Sequence, residues 1–459
     1  MLKKLFFLFI ILFIFSSCTQ TTEGSDDISL ESETSTVVSE DSTVEESASD
    51  ESIIEESENE GGKDEMVKID VPVLSIISKG SINKANYVSA TVQLRDPSGE
   101  FDMIYDANAE VKIRGNSTAG ALKRPLNIRF SSSRNVLGLG ESKKWYLLSN
   151  PYDKTLMRNK LAYDLAQVLG LSNTPKCTYV DLYLNGEFFG NYLLCESIGI
   201  GEDRVDLNID NNDFLFEVEP YVGYSNPTCL ITPILNFKLG YNDRDKPTLQ
   251  QEKYVIDFFE KAETAVKNKD WERITEYFDM DSFVNYYLLK EFLKSVDTES
   301  SVRYYIKDGV LYAGPVWDID LSMGNCDPDY YKVYNNVGGS GDSTEGLYLT
   351  QVPSQWFGLF MKMDEFRELL RDRMEEMYPV LENLYKKNEL GESRIDVLLA
   401  KYGHSFLKNY DETNWRIYQR YSNLERIPDK TFSENVDYMR SWLEKRHEWI
   451  NNELGITIE

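Results

Sequence analysis

The 459-residue sequence predicts an α+β protein with a sheet-rich N-terminal lobe at 67–251 and a helix-rich C-terminal lobe at 252–459. Up to about residue 251, short runs of alternating apolar residues are separated by clusters of Gly, Asn, Ser and Asp, the pattern of strands and turns. Beyond it, apolar residues recur three and four positions apart over long segments, the pattern of helices. A content of 41% apolar and 13% aromatic residues supplies a large core despite a formal net charge of −28.

Lys3 and Lys4 precede an unbroken apolar run at 5–15 and then Ser16-Ser17-Cys18. This is the layout of a cleaved signal peptide over 1–17, and the run is too short to span a bilayer. A cysteine after two small residues resembles the lipobox of bacterial lipoproteins, which implies a lipidated Cys18 and an extracellular protein held on the outer face of the cytoplasmic membrane. Residues 19–66 hold 17 Asp and Glu against one Lys. Such a stretch cannot bury enough apolar surface to fold, so 18–66 reads as a disordered, self-repelling acidic tether. With so much of the charge in the tether, the rest is an ordinary acidic surface, and the lack of a basic footprint argues against a nucleic-acid partner.

In the folded part, strands are expected at 71–77, 87–94, 109–113 and 126–130, followed by a helix at 156–169 stopped by Gly170. A hairpin of 179–184 with 188–194 turns at Asn185-Gly186, and another strand follows at 214–218. Helices are expected at 254–267, 281–296, 366–386, 393–407 and 432–454, the second with an apolar stripe of Leu289, Phe292, Leu293 and Val296. One strand-like hairpin, 302–306 with 310–317, interrupts them. Cys177, Cys195, Cys229 and Cys326 show no CxxC spacing and have only His404 and His447 as imidazole partners, so no zinc site is expected. The two-residue turn sets Cys177 opposite Leu194, which excludes a Cys177–Cys195 disulfide unless a bulge intervenes.

The second hairpin runs into Trp317-Asp318-Ile319-Asp320-Leu321-Ser322-Met323-Gly324-Asn325. If the strand continues to Asp320, Asp318 and Asp320 share a face, and two adjacent carboxylates near a core need a cation between them. Position six from Asp318 is Met323 rather than the glycine of an EF-hand, so Mg²⁺ or Mn²⁺ shared with phosphate suits the pair. An isolated Asp-x-Asp is also what solvated surface carboxylates look like. Asp297, at the end of the 281–296 helix, reads either as a base or as a turn residue. Lys112, Arg114, Lys123, Arg124 and Arg129 surround a loop with Gly115, Gly120 and small hydroxyl residues, suited to phosphate and equally to pairing with surface carboxylates. Glu217 and Glu219 share a strand face, as a glycosidase pair would or as a solvated face does. Glu196 ends its hairpin and is either buried or functional. No Gly-x-Ser-x-Gly and no His-Glu-x-x-His is present, which sets aside triad and zincin hydrolysis.

Ile113-Arg114-Gly115-Asn116-Ser117, Lys123-Arg124-Pro125, Asp153-Lys154-Thr155-Leu156-Met157-Arg158-Asn159-Lys160, the hairpin 186–196, Val296-Asp297 and the block 314–325 together resemble the CotH kinase family. These are atypical protein kinases similar to spore coat protein H, and the resemblance covers most of 70–450. It implies a distant kinase-like fold that uses ATP and a divalent metal to phosphorylate serine in a secreted or surface protein. On that resemblance Asp318 and Asp320 hold metal, Asp297 engages the acceptor hydroxyl, Arg114 and Lys123 contact nucleotide phosphates, and Glu196 belongs to the nucleotide site. Ordinary protein kinases carry an asparagine five residues after the catalytic aspartate; here that position is Val302, and Asn325 is the candidate replacement at the metal.

The expected function is therefore a surface-tethered serine kinase. The alternative is a non-catalytic binding or structural lipoprotein that recognises protein or glycan on the same scaffold. A glycosidase using Glu217 and Glu219 is a third reading. The segment 330–346, with Gly338-Gly339-Ser340-Gly341, is expected to be a lid or acceptor loop, or else a passive insertion.

Overall fold

Seven strands close into a barrel. β1 (Val73–Ser78), β2 (Val88–Arg95), β3 (Ile104–Ile113), β4 (Leu126–Asn135) and β5 (Glu141–Leu148) pair antiparallel in succession. β7 (Glu187–Glu196) then pairs with β5, and β6 (Cys177–Leu184) completes the ring by lying parallel to β1. Alternate residues such as Ile76, Val92, Val111, Ile128, Leu147, Val180 and Leu194 fill the interior, and closure leaves none of these strands with an open edge. The computed structural model describes residues 71–219, 229–242, 247–297, 301–329, 340–352 and 355–455. The signal peptide, Cys18, the tether and residues 330–339 lie outside them.

The β6–β7 hairpin turns where expected, with positive φ at Asn185 (54°) and Gly186 (90°), as a two-residue hairpin loop requires. A register shift between Leu182 and Tyr183 puts Cys177 opposite Cys195 instead of Leu194. Both thiols are nevertheless free and buried, and burial pushes Cys177 up to about 12.

A second sheet has the order β12-β11-β8-β10-β9, built from β8 (Phe214–Val218), β9 (Cys229–Ile231), β10 (Lys238–Tyr241), β11 (Arg303–Lys307) and β12 (Val310–Ala313). Its central pairing joins β8 to β11 with Arg303 opposite Glu217. The boundary at 251/252 therefore divides the strands of one sheet.

The helices are α1 (Arg158–Val168), α2 (Leu249–Asn268), α3 (Trp271–Tyr277), α4 (Met280–Phe292), α5 (Phe357–Phe360), α6 (Asp364–Glu382), α7 (Arg394–Asp411) and α8 (Phe432–Leu454). Capping boxes from Thr248, Ser393 and Thr431 start α2, α7 and α8. α4 departs from the amphipathic segment expected at 281–296. It ends at Phe292 and is buried on every side from Phe283 onward, because α1, α6, α8 and β12 all pack on it. It thereby carries Lys290 and Glu291 into the core. No helix among the described residues is long and apolar enough to cross a membrane.

The C-terminal part of the segment expected to be a lid is tied down. The Lys294 ammonium donates to the carbonyls of Ser340 (3.1 Å), Ser343 (2.8 Å) and Glu345 (2.6 Å). Trp442 Nε1 donates to Asp342 O at 2.6 Å, and Arg446 to the carbonyls of Thr344 and Gly346.

Candidate active site

β12 stops at Ala313, so the Asp motif is a loop and not a continued strand. Asp318 has φ 59°, a left-handed backbone that breaks the two-residue alternation on which a shared strand face depends. Both residues still line one cavity, because the loop is held from several directions. The Ile319 amide donates to Asn159 Oδ1 at 2.8 Å. Arg158 donates to the carbonyls of Ser322 (3.0 Å) and Met323 (3.2 Å), and its guanidinium pairs with buried Asp153 at 2.5 Å. Gly324, at φ 75°, lies where a Cβ would press on Trp442 and Tyr438, so the loop turns tightly against α8.

Asp297 reaches the same place through main-chain bonds that staple its segment to the motif. The Val296 amide donates to Leu321 O (3.2 Å), and the Met323 amide to Leu293 O (2.7 Å). Arg114 arrives from β3: its amide donates to Pro125 O at 3.0 Å, and Gly115 turns at φ 84° where a Cβ would overlap the Thr118 hydroxyl. The Arg114 guanidinium lies over the rings of Tyr146 (4.0 Å) and Trp317 (5.0 Å). Trp317 in turn stacks on Tyr163 at 6.0 Å. Arg114, Asp297, Asp318 and Asp320 thus line one cavity of about 300 Å³. A larger cavity of about 500 Å³, lined by Asp279, Asp281, Tyr305 and Arg373 among others, contains none of them.

The electrostatics of this cavity are lopsided. Burial, and then the negative charges of Asp318, Asp153, Asp297 and Glu425, hold the Asp320 carboxyl well above the usual carboxylate range. Behind the cluster, burial lowers the Lys290 ammonium to about 8, while Asp297 and Asp318 oppose the fall. Lys290 Nζ donates to Ser295 Oγ at 2.8 Å. Glu217 also lines the cavity and pairs with Arg303 at 2.7 Å, so it is not simply a solvated face.

Three residues assigned by resemblance lie elsewhere or act otherwise. Lys123 is buried outside this cavity, with its ammonium over the rings of Trp415 (4.6 Å) and Tyr192 (5.0 Å); burial drives its pKa well down. Glu196 lines a separate cavity of about 190 Å³. There it pairs with Arg204 at 2.7 Å and accepts the Lys176 amide at 2.7 Å. Asn325 Nδ2 donates to the carbonyls of Tyr152 (3.0 Å) and Asp320 (2.8 Å), which makes it a brace for the loop. Lys290, Arg303 and the Arg158-Asn159 pair were not singled out for these roles. For Lys290 a signal exists, an adjacent Lys290-Glu291 pair set between the apolar stretches 286–289 and 292–293.

Among the described residues no group of three or more His, Cys, Asp or Glu side chains is close enough together to hold a metal ion. The donor chemistry nonetheless suits a hard divalent cation: the paired carboxylates supply oxygen, Asp320 is buried among negative charges, and water and phosphate normally complete a Mg²⁺ shell.

The family model described as CotH kinase protein matches residues 111–450. The chain belongs to the CotH kinase family. The match takes in every residue named around the cavity, from Arg114 to Glu425, while β1 and β2 of the barrel precede it. No match is found among curated proteins. Membership supports a kinase-type phosphotransferase chemistry for this fold.

Proposed function

We propose that this member of the CotH kinase family is a surface-tethered protein kinase that transfers the γ-phosphate of ATP to serine in a secreted or surface protein, with Mg²⁺ or Mn²⁺. The observation that carries the reading is that Asp297, Asp318, Asp320 and Arg114 share one cavity, since phosphoryl transfer is mostly positioning and charge neutralisation. Asp318 and Asp320 would hold the metal, which supplies neutralisation of phosphate charge when bound. Arg114, fixed by two aromatic rings, would contact the phosphate tail. Asp297 accepts the proton of the acceptor hydroxyl. The lipidated Cys18 and acidic tether would hold this cavity outside the cytoplasmic membrane.

The test is thermal unfolding of the purified protein with millimolar ATP and Mg²⁺ or Mn²⁺. Saturation to a hundred times Kd stabilises by about 2.7 kcal/mol, and Asp318→Asn removes the shift. A wild type that shows no shift at millimolar nucleotide would favour the alternative, a non-catalytic binding or structural lipoprotein. Incubation with labelled ATP and the surface proteins of its own cell then identifies the acceptor.

A further inference from the structure

We infer that Arg303 is a second phosphate-binding guanidinium of this cavity, held ready for a polyphosphate tail by Glu217; this rests on the nucleotide reading above. Arg303 opens β11 directly opposite Glu217 on β8. Its side chain is only 9% exposed, yet it lines the cavity with Asp297 and Asp318. Nη1 donates to Ser301 O (3.2 Å) and Nη2 to Glu217 Oε1 (2.7 Å). Nε is buried and has no acceptor among the described residues.

A buried guanidinium donor is rarely left open, because it loses water without gaining a partner. A planar fork with one unpaired donor, on a residue that lines a polar cavity, matches the oxygens of a phosphate chain. The hydroxyl of Ser149, also buried and without a partner, lines the same cavity. Arg114 and Arg303 approach the Trp317 ring to 5.0 and 5.8 Å, so two guanidiniums converge beside the residue that precedes Asp318. Lys123, the other cation expected here, is buried outside the cavity; Arg303 supplies the charge it would have brought. Glu217 is a positioning residue: it orients Nη2 and balances the guanidinium when no anion is bound.

The experiment is calorimetric titration of the purified full chain with tripolyphosphate, and separately with ATP and Mg²⁺, for wild type, Arg303→Gln, Arg303→Lys and Glu217→Gln. Arg303→Gln is expected to weaken tripolyphosphate binding roughly tenfold or more, and Arg303→Lys to recover part of the loss. Glu217→Gln keeps an acceptor for Nη2 but removes a negative charge, and is expected to tighten binding by roughly threefold. A purely structural ion pair predicts no such gain. If Arg303→Gln is folded and binds as the wild type does, the inference fails and the kinase reading stands. If Arg303→Gln does not fold, Glu217→Gln decides: unchanged or weaker binding overturns the role of Arg303. A wild type that binds neither ligand overturns both.

Discussion

One arginine ties the C-terminal part of the Asp motif to α1. Arg158 spans the Asp153 carboxylate and two carbonyls of the motif loop, and both partners of the ion pair are almost wholly buried. Removing it strands a buried carboxylate, so Arg158→Met should destabilise the protein by about 3–5 kcal/mol in urea unfolding; a loss under about 1 kcal/mol would show that the loop holds without it. That Asp318 and Asp320 belong near one cavity was legible for a physical reason: two adjacent carboxylates near a core are costly and so stand out in the sequence. Lys123 and Glu196 were not, because sequence gives a charge but not its direction, and both point into other partners. His447 gives a pH test. Burial pushes its pKa from 6.5 down to about 4, and its Nδ1 lies 3.0 Å from the Tyr385 hydroxyl. As pH falls below 6.5 the unfolded chain takes up a proton that the folded ring refuses until about 4, so stability is lost across that window. The loss is on the order of 3 kcal/mol. His447→Gln should flatten the stability profile between these two pH values, and an unchanged slope would mean the ring is not buried in its neutral form.

At the level of elements, helical spacing revealed the existence of α4 but not its end or its environment. The chain leaves the helix at Phe292, and Lys294 adopts φ 45°; the amides of 293–295 still turn back onto carbonyls of α4, while the Leu293 carbonyl and the Val296 amide bond to Met323 and Leu321 of the motif loop. That choice is tertiary and has no local signature. The Leu182/Tyr183 shift escaped for the same reason: the turn at Asn185-Gly186 is written in its residues, whereas a bulge depends on the partner strand. Glu291 makes α4 the anchor of the segment after the cavity. Its carboxylate accepts the amides of Tyr348, Leu349 and Thr350 and faces the Arg446 guanidinium at 3.5 Å. Glu291→Ala removes the acceptor of three amides and the counter-charge of a buried guanidinium, with an expected loss of about 3–5 kcal/mol. Hydrogen exchange at Tyr348 and Thr350 should accelerate more than at the barrel amides. Equal protection in both places would mean that Glu291 does not order this segment.

On the scale of the whole molecule, composition and periodicity separated a sheet-rich half from a helix-rich half, and the α+β class follows from them. What they could not convey is that the halves share a sheet, because β8 and β11 are far apart in sequence and pairing across that distance leaves no trace in a local pattern. The shared sheet also assembles the cavity: Arg114 comes from the barrel, Glu217 from β8, and Asp297, Arg303 and Asp318 from beyond residue 252. Cutting the chain at 251/252 would expose the β8 edge, with its unpaired backbone groups, and the apolar faces of Phe214 and Phe216, both fully buried in the intact chain. Expressed alone, 67–251 and 252–459 should therefore aggregate or unfold without cooperativity, whereas co-expressed halves should associate and regain a single unfolding transition. Nucleotide binding should appear only in the reassembled pair. An isolated 67–251 fragment that unfolds cooperatively, with a melting temperature near that of the whole protein, would make the halves independent domains and reduce the β8–β11 pairing to a docking contact.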